Sequence, residues 1–320
     1  MYAVQLRCRR LLTLRRPPAG YAIGSGIHVR EIVIGAQVSG AGGVSKAVQR
    51  AVDIGAQAVQ IFVDSNRQFP RRPLPGEELN KLGALLRRHR MPGYVHVPYL
   101  ANPATADAIL RSRSIEMIAR GLHAAERAML RGVVVHPGSH RGRGFEAVKE
   151  QVSLALGEAW RLGGTAVPLL IENTSGSGGH IGSSIAELVA LLAALDRAGV
   201  RAALCVDFAH VHAAGWDLGD KSGVEKFVRE WRAAGLFERI ALVHANDSAA
   251  APGSHRDWHA NPGTGLIGAR GLRLLAAVRE LRQVPWILEV PGAYRSGPRR
   301  IEVERLRTLS MPSRTVEQDA

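Results

Sequence analysis

Short apolar, β-rich runs alternate along the chain with longer segments in which apolar positions recur every three or four residues. The short runs predict buried strands, and the longer spacing predicts amphipathic helices. We predict strands at 33–38, 58–63, 93–97, 133–136, 167–172, 203–207, 240–245 and 285–289. Helices are expected between and after them, at 44–54, 77–90, 105–131, 145–162, 183–198, 221–235, 268–282 and 299–309.

Eight strand–helix repeats favour one α/β architecture. A single (β/α)8 TIM barrel takes about 250 residues and places a helix after each parallel strand. No linker rich in Pro, Gly or Ser separates the repeats. We therefore predict one barrel domain over residues 32–310, in preference to a doubly wound sheet.

The two ends of the chain depart from this pattern. Residues 1–31 carry six arginines and no acidic residue before Glu31, and their apolar run is too short for a secretory signal. We expect a disordered basic extension there, or a segment upstream of the true start; the composition also permits a transit peptide. Residues 311–320 are expected to form a loose tail.

Composition excludes several classes of protein. Hydrophobic residues form 46% of the 320-residue chain, which is enough for a packed core. No apolar stretch approaches the ~18 residues of a membrane span, so no membrane partner is expected. Two cysteines, Cys8 and Cys205, cannot make a disulfide framework or a four-cysteine zinc site. A reducing, cytoplasmic location follows as an expectation.

The formal net charge of +14 comes from 42 basic and 28 acidic residues, and only five of the basic residues are Lys. Positive charge in excess concentrates nucleic acid near a protein surface. A GC-rich coding bias toward Arg explains the same composition, so charge alone does not separate the two interpretations.

Residues of metal-ligand type follow nearly every predicted strand. The carboxyl ends of all barrel strands meet at one face, where barrel chemistry lies. Burying many charged groups together is costly unless cations compensate them, and imidazole and carboxylate are ordinary zinc ligands. One zinc ion takes three or four ligands, so nine such groups predict two or three ions. The nine are His96, His136, Glu172, Asp207, His210, His244, Asp257, His259 and Glu289.

The charge of such a cluster favours phosphoryl transfer. Three divalent ions over-compensate the four carboxylates, and the remaining positive charge suits a hydroxide and a phosphodiester oxygen. Multi-metal sites of this kind make a nucleophile from water and stabilise the attacking and leaving oxygens.

Ordered motifs run through most of the chain: Ile34–Ser39 with Gly42–Gly43, Asn66–Gln68, His96–Asn102, His136–His140, Glu172–Thr174, Cys205–Asp207 with His210, Ala214–Leu218, His244–Asp247, Arg256–Asp257 with His259, Gly263–Gly265 with Ile267–Gly268, and Leu288–Glu289. Any one alone would be weak. Together and in this order they resemble the endonuclease IV family, the metal-dependent apurinic/apyrimidinic endonucleases (AP endonuclease family 2). The resemblance extends from Ile34 to about Gly292.

The resemblance implies a (β/α)8 barrel with about three zinc ions, one of them replaceable by manganese. It assigns His96, His136 and Glu172 to one ion, with Glu172 as the catalytic bridge to a second. Asp207, His244 and Glu289 would complete the second ion. His210, Asp257 and His259 would hold the third.

The family cleaves double-stranded DNA 5′ to abasic sites, leaving a 3′-hydroxyl and a 5′-deoxyribose phosphate, and trims blocked 3′ ends in base-excision repair. The resemblance implies this activity here, and we expect a monomer. Arg67, Tyr99 and Leu100 match the positions that contact DNA at the lesion, where inserted side chains fill or unstack the duplex. Taken alone, Tyr99 and Leu100 would be interpreted as packing residues under a loop.

Six residues depart from the family pattern, and none of them is a ligand. They put substrate choice and rate in doubt more than the metal site. They are Gln37, Phe69, Phe208, Ala209, His212 and Thr264.

Two other functions stay open at this point. A sugar isomerase or epimerase on a xylose-isomerase-like barrel would need one ion and four of the nine ligands, Glu172, Asp207, His244 and Glu289. A non-catalytic binder of DNA lesions would keep the ligands without turnover, although such a protein has no reason to retain nine costly groups.

Overall fold

The computed structural model describes residues 31–70, 74–294 and 296–311. Its strands are β1 (Ile34–Gln37), β2 (Ala58–Phe62), β3 (Gly93–His96), β4 (Val133–Val135), β5 (Leu169–Glu172), β6 (Ala202–Asp207), β7 (Ile240–His244), β8 (Asp247–Ser248), β9 (His259–Ala260) and β10 (Trp286–Leu288). Eight of them close into a barrel in the order β1-β10-β7-β6-β5-β4-β3-β2. Every pairing in the barrel is parallel. The other two form a small antiparallel hairpin.

Helices cover the outside of the barrel, one or two after each strand. They are α1 (Lys46–Asp53), α2 (Gly76–Arg88), α3 (Ala108–Ala128), α4 (Lys149–Gly163), α5 (Ile185–Arg197), α6 (Phe208–Ala214), α7 (Lys221–Ala233), α8 (Gly268–Ala277) and α9 (Arg300–Ser310). The predicted (β/α)8 fold is confirmed.

A compact layer of side chains fills the inside of the barrel. It consists of Ala58, Tyr94, Val134, Leu170, Cys205, Leu242 and Ile287. Gly35 is the residue of β1 at the level of this layer. Only glycine fits there, because an added Cβ would lie 2.5 Å from Ile287 Cδ1 and 2.6 Å from the Ala58 carbonyl oxygen.

The interior layer explains where the polar residues lie. Side chains alternate along a strand, so the residue two positions further on faces the same interior, nearer the carboxyl end. Counting two residues from each member of the layer reaches one ring of polar side chains at the barrel mouth: Gln60, His96, His136, Glu172, Asp207, His244 and Glu289.

Several element boundaries differ from the prediction for local reasons. α3 begins at Ala108 rather than 105, because the Asp107 carboxylate caps it by accepting from the backbone N–H groups of Ile109 and Leu110. α6 was not predicted; it starts directly after Asp207, whose carboxylate accepts from His210 N–H. The hairpin of β8 and β9 was also missed, since two-residue strands leave no periodic signal.

The predicted extension and tail fall outside the described residues, except for Glu31 and Met311. Among the helices that the structure describes, none combines the length and the apolar character that a membrane crossing requires.

Candidate metal centre

Glu172 is the centre of the polar ring at the barrel mouth. Its side chain is fully buried at the end of β5. The Oε2 atom lies 3.0 Å from His96 Nε2 and 3.1 Å from His136 Nε2. The other oxygen, Oε1, lies 3.0 Å from His244 Nδ1. The two carboxylate oxygens thus face different histidines, as a carboxylate does when it bridges two ions.

Glu289 contributes to the same cluster from the end of β10. Its Oε2 lies 3.1 Å from His244 Nδ1, and its Oε1 lies 4.0 Å from His96 Nε2. The ligand atoms of His96, Glu172, His244 and Glu289 all lie within 4.8 Å of one another. This separation allows all four to reach the same ion or an adjacent pair of ions.

A second group of ligand atoms lies beside the first. The Asp257 Oδ1 atom is 3.1 Å from His210 Nε2 and 3.0 Å from His259 Nε2. Asp207 Oδ2 is 3.6 Å from His259 Nε2 and 3.8 Å from His244 Nδ1, so this carboxylate joins the two groups. All nine residues singled out in the sequence therefore meet in one continuous cluster.

Three histidines of the cluster carry a buried nitrogen that hydrogen-bonds to nothing. Within the part of the chain that the structure describes, the Nε2 atoms of His136, His210 and His259 have no hydrogen-bond partner, although carboxylate oxygens lie 3.0–3.1 Å away. Ligands around a tetrahedral zinc ion are about 3.3–3.6 Å apart, given zinc–ligand bonds of about 2.0–2.2 Å. The observed separations are a few tenths of an ångström shorter than this, and the orphaned lone pairs fit a cation shared between these residues.

Hydrogen bonds to the backbone fix which ring nitrogen faces the cluster. Nδ1 of His96, His210 and His259 lies 2.8, 2.9 and 3.1 Å from the carbonyl oxygens of Val97, Asn173 and Glu289, respectively. Each Nδ1–H therefore donates outward, and the Nε2 lone pair points inward. Metal-binding histidines in general are oriented in this way.

The carboxylates draw positive charge into the site. Burial opposes ionisation of Glu172, but His136 and His244 outweigh it and hold its pKa well below the ordinary value. Burial likewise disfavours a charged His259, yet Asp207 and Asp257 raise its pKa to about 9. His136 behaves differently, because burial outweighs the nearby carboxylates and lowers its pKa to about 3. Its imidazole is therefore neutral, and the ionised carboxylates around it favour a bound cation.

Gln60 and two asparagines hydrogen-bond to the candidate ligands, a role that was not predicted from the sequence. Asn246 Nδ2 donates to Asp207 Oδ2 at 2.6 Å, while its Oδ1 accepts from Glu289 N–H at 2.8 Å. Asn173 Oδ1 accepts from Asp207 N–H at 2.7 Å. Gln60 contacts both His244 and Glu289. Its place two residues after a buried interior residue is the sequence signal that could have revealed it.

The three residues predicted to contact DNA occupy different environments. Arg67 is exposed on the loop after β2. The half-exposed Tyr99 ring stacks on His136, with ring centres 4.1 Å apart, and its hydroxyl donates to Asp257 Oδ2 at 3.1 Å. Leu100 is partly buried and packs against the core. The structure thus brings Tyr99 to the cluster and leaves Arg67 at its rim.

A cavity of about 260 Å³ opens beside His136. It lies between the loops that follow β3, β4 and β5. Its lining includes Tyr99, Leu100 and Asn102 from the first loop and Ser139 and Arg141 from the second. A small molecule, or a single group that protrudes from a larger molecule, could enter this cavity and reach the His136 side of the cluster.

The departures from the family pattern lie outside the ligand set. Phe208 is buried and packs edge-on against Trp286, with ring centres 5.1 Å apart. Ala209 and His212 are buried in α6, and Thr264 is exposed. Gln37 ends β1, and its buried Oε1 has no hydrogen-bond partner in the described part of the chain.

The fold and the site together define a class: (β/α)8 barrels whose mouth holds a histidine–carboxylate cluster able to bind metal ions. The sequence profile of the xylose isomerase-like TIM barrel family matches residues 48–309, most of the chain. A solved D-tagatose 3-epimerase-like protein shares the fold at a TM-score of 0.62, with 17% identity over 86% of this chain and 95% of its own.

Other relatives identify a narrower group. A probable endonuclease 4 of Oleidesulfovibrio alaskensis is 39% identical over 282 residues, which are 88% of this chain and 96% of the relative. The crystal structure of endonuclease IV from Thermus thermophilus matches with a TM-score of 0.73 and 33% identity, over 86% of this chain and 97% of that one. The chain belongs to the endonuclease IV family, and the resemblance found in the sequence is confirmed.

Proposed function

We propose that this protein is a zinc-dependent endonuclease that cleaves DNA 5′ to abasic sites. It leaves a 3′-hydroxyl and a 5′-deoxyribose phosphate, trims blocked 3′ ends and acts in base-excision repair. The observation that carries the proposal is the meeting of nine ligand-type side chains, three of them histidines with an unpartnered buried Nε2.

The nine residues would hold three ions in the grouping that the family resemblance implies. The contacts of Glu172 favour this grouping, because its two oxygens face the pair His96 and His136 on one side and His244 on the other. Zinc bound there would supply Lewis acidity toward water and the phosphodiester oxygens.

The protein itself supplies orientation and a water-poor environment. Glu172, Asp207 and His244 are fully buried, which strengthens their electrostatic interactions. Asn173 and Asn246 hold Asp207 from its backbone and its side chain, so the carboxylate has one orientation. Ligands held by packing and hydrogen bonds in this way are pre-organised before the substrate binds.

The DNA-facing residues follow from the same arrangement. Tyr99 is half-exposed directly above His136, and Arg67 is exposed on the neighbouring loop. A ring at this position can fill the space left in a duplex where an abasic nucleotide has been extruded. The net charge of +14 favours association with DNA at any sequence.

One assay tests the proposal directly. The purified protein is incubated with a duplex that carries a single synthetic abasic site, with and without a chelator, and the ends are identified by electrophoresis. We expect a nick on the 5′ side of the lesion that requires metal. Binding without nicking would favour a lesion binder, and no action on DNA together with epimerisation of a ketose would favour the sugar enzyme.

A further inference from the structure

Arginine–aromatic contacts concentrate at the end of the barrel that carries the metal centre. The described residues contain four such contacts, and three belong to loops or helix starts on this face. The distances from the guanidinium carbon to the ring centre are 5.0 Å for Arg256 over Trp258, 4.4 Å for Arg299 over Tyr294 and 5.9 Å for Arg113 over Phe69.

The three rings lie on neighbouring loops. Phe69 follows β2, Trp258 lies between β7 and β10, and Tyr294 follows β10. Only β1 separates β10 from β2 around the barrel. The pairs therefore line one side of the barrel mouth, and we call the three rings with their arginines the aromatic arc.

Two of these three rings are exposed to solvent. Trp258 is 55% exposed and Tyr294 is 73% exposed, whereas Trp231 and Trp286 are buried in the core. An exposed indole gives up a large hydrophobic contribution unless another molecule covers it. Exposure of this size beside a candidate active site points to a ligand.

Most donor groups of the three arginines are free of protein partners. Among the described residues, Arg113, Arg256 and Arg299 have no acidic ion-pair partner, and Arg299 donates one side-chain hydrogen bond, to Ser296 Oγ at 3.3 Å. A guanidinium that stacks on a ring still presents its N–H donors in its own plane, where they match a phosphate. The Trp258 and Tyr294 pairs thus each offer an exposed flat apolar face beside a phosphate-binding edge, whereas Phe69 packs partly against the core.

The position of Trp258 is fixed by its backbone. Its carbonyl oxygen accepts from Ala249 N–H at 2.8 Å, next to the hairpin of β8 and β9. The flanking residues Asp257 and His259 turn into the metal cluster. Because side chains alternate along such a segment, Trp258 faces away from the cluster on the side shared with Arg256.

A flat ring beside a phosphate-binding edge fits one chemical unit, a nucleotide whose base is not stacked in a duplex. Base–aromatic stacking is tolerant of sequence, because every base has a π face. Bases inside an intact duplex already stack on both faces and cannot use the ring. The ligand is therefore nucleic acid with locally unpaired or unstacked bases.

We propose that the aromatic arc binds unstacked nucleotides of the DNA strand that enters the metal centre. The proposal rests on the proposed function, because it places the arc along the same substrate. It adds a preference for sites where bases are already frayed or single-stranded, such as the neighbourhood of a lesion or a strand end.

Binding of a single-stranded oligodeoxythymidylate tests the proposal. We expect the oligonucleotide to quench tryptophan fluorescence of the wild type and to lose most of this quenching in Trp258→Phe. Trp258→Ala and Tyr294→Ala should each weaken single-strand binding about 5- to 100-fold, with intact duplex affected less than about twofold. Trp258→Phe should retain most of the affinity, since a phenyl ring still stacks.

The fourth contact provides a matched control. Arg232 lies 5.4 Å from the ring of Phe237, at the opposite end of the barrel. Arg232→Ala removes the same charge as Arg256→Ala but should leave single-strand binding unchanged. Arg256→Ala should also reduce the slope of log affinity against log salt concentration by about the amount expected for one phosphate contact. Zinc content equal to that of the wild type shows that the ligands beside Trp258 are intact.

Wild-type affinity for the single strand in both Trp258→Ala and Tyr294→Ala would overturn the proposal. So would equal losses on single strands and intact duplex, because that pattern describes general packing or charge. This binding experiment needs no cleavage. If the wild type nicks abasic DNA but the variants bind single strands normally, the proposed role of the aromatic arc is refuted and the proposed function stands. If the wild type does not nick abasic DNA, the proposed function is refuted instead.

Discussion

His244 Nε2 lies 3.1 Å from the side-chain oxygen of Gln60, so the Nε2–H donates to Gln60 and the lone pair stays on Nδ1. That Nδ1 faces Glu172 and Glu289 at 3.0 and 3.1 Å. The amide nitrogen of Gln60 in turn donates to Glu289 Oε1 at 2.5 Å. One glutamine thus orients two neighbouring candidate ligands.

Gln60→Leu should weaken zinc binding about 10- to 100-fold, since outer partners of metal ligands typically contribute this much. Leucine has a similar size but cannot accept from His244 or donate to Glu289. Zinc retained after dialysis against graded chelator is the measurement. Gln49→Leu is the control, because the Gln49 side chain donates to Asp53 at the exposed surface, away from the cluster. Equal retention in both variants would contradict the orienting role.

Metal analysis of the purified protein should give two to three equivalents of transition metal, mainly zinc. The reason is the number of ligands: nine nitrogen and oxygen donors exceed what one ion can use. Mass spectrometry of the acid-digested protein provides the count, and chelation should abolish nicking. A content of one equivalent or none would instead fit a sugar isomerase or an inactive protein.

Glu172→Gln should abolish nicking of abasic duplex while the fold persists. The amide keeps the shape of the side chain but not the charge that both oxygens share between two groups of histidines. Nicking rates and circular dichroism are compared with the wild type. A rate within about tenfold of the wild type would remove Glu172 from the bridging role.

Arg67→Ala and Tyr99→Ala should weaken binding to abasic duplex more than to intact duplex. A side chain that fills a distorted stack acts only where the DNA is distorted, and we expect a loss of about 1–3 kcal/mol. Binding is titrated at one salt concentration with chelator present, after confirming that the metal-free protein stays folded. Equal losses on both duplexes would assign these residues to phosphate contact or packing.

Asp247→Ala should lower the stability of the barrel by more than about 3 kcal/mol. The buried carboxylate accepts from four backbone N–H groups, those of Ser248, Gly265, Ile267 and Gly268. Truncation leaves these donors without their carboxylate partner where β8 packs against the start of α8. Urea unfolding measures the change. Asp217→Ala, which removes an exposed carboxylate, serves as the control, and similar midpoints would contradict the prediction.

The alternation of strand and helix patterns was enough to predict the barrel and the position of its chemistry. All strands of a parallel barrel point the same way, so a residue at a strand end has only one face to occupy. His96, Glu172 and His244 could therefore be placed at one mouth although more than 70 residues separate them along the chain. The order of the elements along the chain is enough for this placement, without any distance.

Distances and partners were decided by the closed barrel alone. The sequence does not specify which nitrogen of His244 faces Glu172, because Gln60 reaches that ring only after distant strands have packed together. Likewise, the sequence around Trp258 does not show that its ring lies on the same side of the barrel mouth as Phe69 and Tyr294, because those rings belong to loops that follow other strands. A residue pattern along one element determines which side is buried, whereas contacts across the barrel mouth depend on the stagger of the strands and on rotamers set by packing.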